Sequence, residues 1–215
     1  MALNLKKGNH LNLLKKDGRR LEQLCIGINW GVIIEKTFFG LFSDKKSVDL
    51  DASVAVFDEK NLLLDLIYFG KKKRNINGKS MIISDDNAII HSGDDLTGDT
   101  NGNDGIDNEV ITIDLTQINP KATQIVFMLN SYKLQDFETI PYSHIRIFEG
   151  TPQRPENILA TFNVSSEPQF VDKVAMLMGK LRVDNGIWRF EAMGEPTRDR
   201  QIDETVRTVQ KYFLQ

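Results

Sequence analysis

The 215-residue sequence has a single cysteine, Cys25, and only three histidines. One cysteine excludes an internal disulfide framework and a Cys-rich zinc site. It lies in LCIGI, a setting that reads as a small buried hydrophobe rather than a reactive thiol. His10, His91 and His144 occur in no recognisable catalytic motif, and no Ser/His/Asp or Cys/His partnership can be assembled around them. His91 accordingly reads as a structural side chain. Basic charge is not in excess: the formal net charge is -3 and the pI near 5.7, which argues against a nucleic-acid partner. No window approaches the roughly 18 apolar residues of a membrane-spanning helix. MALNLKKGNHLNLLKK, at the start, has no long apolar stretch behind its charges, so no signal peptide is visible and the cytosol is the expected compartment.

What the chain does contain is the periodicity of strands. In VDLDASVAVF, Val48, Leu50, Ala52, Val54 and Val56 share one face, and Asp49, Asp51 and Ser53 share the other. Short β-branched or aromatic runs follow at 62–69, 110–115, 124–129, 144–149 and 158–164, punctuated by Gly, Pro, Asn and Asp. Asp184-Asn185-Gly186 predicts a tight hairpin, because Asn and Gly tolerate positive φ. The period changes at the end, where Ile202, Val206, Val209 and Phe213 recur at helical spacing after Pro196 and Thr197. The predicted fold is all-β: a β-sandwich of two mainly antiparallel sheets (about 1–194) with a C-terminal α-helix (about 198–214), forming one domain over 1–215. That helix packs on the sandwich; a partner-binding or membrane-lying helix is the alternative, which its cation-poor polar face disfavours. Phe38, Phe39, Leu41 and Phe42 surround Gly40 in a segment that either folds back on the sheet or forms an exposed apolar tip.

Charge is unevenly spread. Lys71, Lys72, Lys73 and Arg74 form a basic run, and no Lys or Arg occurs between Lys79 and Lys121. Inside that gap, HSGDDLTGDTNGNDGIDNEV (91–110) carries Asp94, Asp95, Asp99, Asp104, Asp107 and Glu109 among glycines. Hard cations take six to eight oxygen ligands, and calcium suits so many oxygen donors better than magnesium does. The loop is not an EF-hand: counted from Asp99, Asp104 stands where that motif has Gly and Val110 where it has Glu. A plain solvated loop is the alternative. Asp49 and Asp51, at i and i+2 on a strand, point the same way, which is unfavourable unless a cation or basic partner lies between them. Lys45 and Lys46 are the nearest such partners in sequence. If this strand lies beside the loop, the two sets of acids form one or two shared calcium sites.

VDLDAS (48–53), HSGDDLTGD (91–99) and DNEVITIDL (107–115) together resemble the signature blocks of the TerD family of tellurium-resistance and stress proteins. GINWG (27–31), IVFMLNSY (125–132), the IRIFE strand and the WRFEAMGEP segment extend the resemblance over essentially the whole chain, in a TerZ- or TerX-like branch. The resemblance implies a non-enzymatic, calcium-binding β-sandwich of a bacterial tellurite-resistance and stress system. Its implied partners are calcium ions, other ter-operon products and the inner membrane surface. The metal residues it implies are Asp49 and Asp51 from the strand, with Asp94, Asp95, Asp99, Asp107, Asn108 and Glu109 from the loop. Asp104 joins these candidates from a stretch, Asn103 to Ile106, that looks inserted relative to the family loop. Two further readings stand beside this one: a calcium-dependent binding module for phospholipid or carbohydrate, using Lys71–Arg74 and Phe38–Phe42, and a metal-assisted hydrolase, for which no catalytic partners are visible.

Overall fold

A computed structural model of the protein describes all residues except 1, 2, 5, 16, 38–41, 77, 164–167 and 215. Val48, Leu50, Ala52, Val54 and Val56 are each no more than 3% exposed, and the apolar face they share drives the layering. In chain order the first strands are β1 (Leu3–Asn4), β2 (His10–Asn12), β3 (Gln23–Trp30), β4 (Ile33–Thr37), β5 (Phe42–Lys46) and β6 (Leu50–Asp58). β7 (Leu63–Ile67), β8 (Arg74–Ile76), β9 (Lys79–Ile83), β10 (Ile89–His91) and β11 (Glu109–Asp114) come next. The remainder are β12 (Ala122–Ser131), β13 (Ser143–Thr151), β14 (Arg154–Asn163), β15 (Ala175–Asp184) and β16 (Ile187–Thr197).

One sheet has the order β1-β14-β13-β3-β11-β10-β9-β8 and the other β2-β16-β15-β12-β6-β7. All pairings in them are antiparallel except β1 with β14. The two inner faces bury one core, in which Ile26, Ile28 and Trp30 of β3 and Ile111 and Ile113 of β11 join Leu50 and Val54 of β6 and Phe127 of β12. This is the sandwich of two mainly antiparallel sheets that the alternation predicts. β4 and β5 form a separate antiparallel hairpin. Phe38, Phe39, Gly40 and Leu41, for which the sequence offers a fold-back or an exposed tip, lie outside the described residues. The predicted Asn185-Gly186 turn is present, with φ of 50° and 73°, and joins β15 to β16.

Two features of β6 position the acidic residues. β6 pairs with β12 along Leu50–Asp58 but with β7 only from Val54 to Phe57, so the strand is without a neighbour on one edge from Leu50 to Ser53. The outward face of β6 is not a solvent face either: Asp49, Asp51 and Ser53 are 3%, 7% and 1% exposed. Farther along that face, Ala55 and Phe57 lie under the helix α1 (Ile202–Tyr212). α1 buries Val206 and Val209 there, with Ile202 and Phe213 packed against the same cluster, as the helical spacing predicts. The helix starts four residues later than expected, because Pro196 and Thr197 complete the pairing of β16 with Met176 and Ala175. Glu204 Oε2 then accepts the Arg200 N–H at 2.7 Å, and Gln201, still extended at φ -138°, precedes the first turn.

Phe57 is completely buried beneath α1. Phe57→Ala should destabilise the protein by about 3–5 kcal/mol in urea unfolding, whereas truncating a side chain on the solvent side of α1, as in Arg207→Ala, should change stability by less than about 0.5 kcal/mol.

Candidate metal centre

The loop from Gly93 to Asn108 is built onto the end of β3. Asp99 N–H donates to Trp30 O at 2.9 Å, Val32 N–H to Asp99 O at 3.2 Å and Asn108 N–H to Ile28 O at 2.8 Å. The Trp30 indole, fully buried, donates to Val48 O at 3.0 Å. Gly98 lies on the indole ring with φ +71°; a Cβ there would stand 2.6 Å from the ring. Only glycine combines that conformation with that approach. The GINWG and TGD segments thus form one packing unit, and it sets the loop beside the beginning of β6.

At the unpaired edge of β6, side chains replace the missing strand. Ala52 N–H donates to Glu109 Oε2 at 2.8 Å, and His91 Nε2 lies 2.9 Å from Ala52 O. Gly93 N–H donates to His91 Nδ1 at 3.1 Å, and Asp95 N–H to Glu109 Oε1 at 3.2 Å. Glu109 and His91 themselves approach to 3.5 Å with both side chains fully buried. Burial raises the Glu109 pKa above its ordinary range, against the opposing pull of His91 and two backbone N–H donors.

Around this corner, oxygen atoms of Asp49, Asp51 and Asp94 all come within 4.8 Å of one another. Asp49 Oδ1 is buried and has no hydrogen-bond partner among the described residues. Its other oxygen lies 3.6 Å from Lys133 Nζ. Lys133 lies just beyond β12 and also donates to Ser47 Oγ and Leu96 O, each at 3.0 Å. Lys45 and Lys46 do not serve the pair: Lys45 donates to Thr100 O at 2.7 Å, and Lys46 pairs with Glu35. Burial, followed by the charges of Glu109, Asp49 and Asp94, pushes the Asp51 pKa up to about 8. Asp49 is raised as well, by burial first, although Lys133 opposes it.

The other predicted residues divide into distinct roles. Asp95 borders the cluster, but its Oδ1 is occupied by the Thr97 and Gly98 N–H groups at 2.8 and 2.9 Å. Those contacts outweigh burial and hold its carboxyl below the ordinary range. Asp99 and Asn108 belong to a second polar knot: Asn108 Nδ2 donates to Asp99 Oδ1 at 3.1 Å and to Asp95 Oδ2 at 3.3 Å. Asp99 Oδ2 accepts from Asn29 Nδ2 and from the Tyr142 hydroxyl, both at 2.9 Å. Asp107 does not join the Asp49–Asp51–Asp94 cluster. It lies over Gly27, where any Cβ would collide with it, and Arg146 Nε lies 2.8 Å from its carboxylate. Asp104 is exposed and caps a turn by accepting the Ile106 N–H at 2.8 Å.

Lys133, Asn29, Tyr142 and His91 were not among the sequence candidates for the site, whereas Glu109, which His91 approaches, was. Asn29 carried a faint signal as the polar residue inside GINWG. Lys133 carried none, since its partners lie 37 and 86 residues away. The basic run is partly structural: Lys71 bridges Asp65 and Asp85, and Arg74 donates to Ser84 O, leaving Lys72 and Lys73 exposed. Cys25 is fully buried, and burial pushes its thiol pKa up.

In metal-free protein, folded Asp51 holds its proton more tightly than the unfolded chain does. The folded state therefore loses stability as pH rises from the unfolded carboxylate value near 4 towards 8. Asp51→Asn should flatten that fall when urea unfolding is followed across pH 5–8 in EGTA; superimposable wild-type and variant profiles would contradict the raised pKa.

The family model for the TerD domain matches residues 1–207. Tellurium resistance protein TerZ of Serratia marcescens is 30% identical over 192 residues, covering 89% of each chain. Stress response protein SCP2 of Bacillus subtilis is 29% identical over 222 residues, covering 96% of this chain and 98% of its own. Among solved structures, a homologue of telluride resistance protein TerD from Streptomyces coelicolor superimposes with a TM-score of 0.61 at 13% identity, over 90% of this chain and 98% of its own. That likeness shows a shared fold, and the agreement along nearly the full length of the relatives shows more: this chain belongs to the TerD domain family.

Proposed function

We propose that this protein is a non-enzymatic calcium-binding member of a bacterial tellurite-resistance and general stress-response system. The observation that carries the reading is Asp49 Oδ1, a buried carboxylate oxygen without a hydrogen-bond partner among the described residues, beside two further acids. A carboxylate in that position is costly unless a cation satisfies it. Asp49, Asp51 and Asp94 would hold the ion. Asp95 and Glu109 border it; Asp95 Oδ1 and both Glu109 oxygens accept backbone N–H groups that keep the loop in place. All the donors are hard oxygen atoms, which favours calcium over zinc, and the His91 ring is committed to Ala52 and Gly93. Bound calcium supplies positive charge between carboxylates that otherwise repel one another. Asp94 is exposed, so the ion would enter from the solvent side while Asp49 and Asp51 receive it from below.

The names of the TerZ and SCP2 relatives support the stress-response setting. Other ter-operon products and the inner membrane surface are the partners this reading expects, with the cytoplasm as its compartment. No described helix is long and apolar enough to cross a membrane.

Calorimetric titration tests the assignment. Asp49→Asn and Asp51→Asn should each weaken calcium binding at least tenfold, whereas Asp107→Asn should retain wild-type affinity while losing stability through Arg146. Equal calcium affinity in wild type, Asp49→Asn and Asp51→Asn would refute the site. At about 100 times its dissociation constant calcium should add roughly 2.7 kcal/mol of stability, seen as a melting temperature that EGTA lowers. Lys133→Met, which removes the ammonium that competes for Asp49, should tighten calcium binding about two- to fivefold; weaker binding would assign Lys133 to holding the site open instead.

A further inference from the structure

Next to the acidic cluster, on the outward face of β6, lies a cavity of about 420 Å³. Asp51 and Ser53 of β6 line it together with Asn130 of β12, which pairs directly with Asp51 across the strands. Ser53 and Asn130 are 1% and 8% exposed, and among the described residues neither Ser53 Oγ nor Asn130 Oδ1 has a hydrogen-bond partner. Asn130 is fixed in this orientation, because its Nδ2 donates to Thr205 Oγ1 of α1 at 3.0 Å. A buried hydroxyl and a buried amide oxygen left in this way call for donors from outside the chain.

One wall is aromatic. Tyr68, Phe69 and Tyr132 meet edge to face, with ring centroids 5.6 and 5.7 Å apart. Tyr132 is 63% exposed and presents its ring at the rim. On the opposite side the start of α1 contributes Arg200 and Asp203.

These groups select among ligand chemistries. An apolar molecule would leave the Ser53 and Asn130 oxygens unpaired. An anion would face Asp203 beside the Arg200 guanidinium, which leaves that wall without net positive charge. A cation would lose its attraction to Asp51 once calcium occupies the adjoining cluster, a step that rests on the calcium reading, and it would meet Arg200 at the rim. A neutral molecule rich in hydroxyl groups satisfies every wall: its O–H groups donate to Asn130 and Asp51, and its C–H faces pack on the aromatic rings. The volume lies in the range of small-molecule sites. We propose that this cavity binds a neutral polyhydroxylated ligand, a monosaccharide or a polyol, through Asp51, Ser53 and Asn130, with Tyr132 as the stacking face.

The test is calorimetry and saturation-transfer NMR on the calcium-loaded full chain, with hexoses, inositol and glycerol as probes. At least one probe should bind with a millimolar dissociation constant. Tyr132→Ala should weaken it about five- to tenfold while keeping wild-type melting temperature and calcium affinity. Binding confined to hexoses and inositol assigns a ring, and binding of glycerol as well assigns an open-chain polyol. No binding of any probe to calcium-loaded protein overturns the proposal, as does equal binding by Tyr132→Ala, or capture of tetramethylammonium in place of the hydroxyl compounds. A protein that takes up no calcium yet binds a probe in a Tyr132-dependent way supports the cavity and removes the metal reading.

Discussion

The edge of β6 between Leu50 and Ser53 is a stretch of backbone whose strand partner has ended, and Glu109 and His91 bond Ala52 in its place. A buried backbone N–H and C=O must be satisfied somewhere. Here the donor is met by a carboxylate and the acceptor by an imidazole, both reaching from the opposite sheet. The consequences spread from that substitution. It ties the two sheets at one corner, it fixes the start of the loop through Gly93 and Asp95, and it brings a buried carboxylate close to Asp51. Closing the strand edge thus adds a buried carboxylate, that of Glu109, to the acids already gathered at this corner.

The basic groups are placed with the same economy. Arg146 meets Asp107 over Gly27, Lys45 covers the loop carbonyl at Thr100, and Lys133 approaches Asp49. Each takes a different acid or carbonyl of the region, and Asp51 is left with carboxylate neighbours alone among its charge contacts. Asp51 is thus the residue at which the electrostatic conflict of the corner is greatest. It also borders the cavity beneath α1, so the acidic cluster and the cavity share a side chain.

Much of the fold was legible in the sequence because burial follows strict alternation. The five apolar positions from Val48 to Val56 are all core residues, and Asn185-Gly186 turns where its φ preferences require. The helix boundary was less legible, since Pro196 and Thr197 serve a strand end as readily as a helix start. Within the site, the residues themselves left the adjacency of DLD and the acidic loop conditional and the family resemblance implied it; Asp49, Asp51 and Asp94 do come together. The division of the remaining acids was not legible. Nothing local distinguishes Asp107, which faces Arg146, from Asp94, which faces the cluster; the difference lies in which side of a sheet each meets. The burial of Asp49, Asp51 and Ser53 was likewise hidden, because alternation reports that a face is polar and does not report what covers it.

The contacts that define this corner join distant parts of the chain. Trp30 to Asn108 spans 78 residues, Ala52 to Glu109 spans 57, and Ala52 to His91 spans 39. Contacts of such separation require long loops to be closed, with the entropy cost that closure carries. Short-range bonds such as Gly93 to His91 and Gly98 to Asp95 shape the loop, but its junction with β6 is made by the distant pairs. A nascent or partly folded chain would therefore carry the acids but not their arrangement, and the arrangement itself marks a chain whose two sheets have already closed.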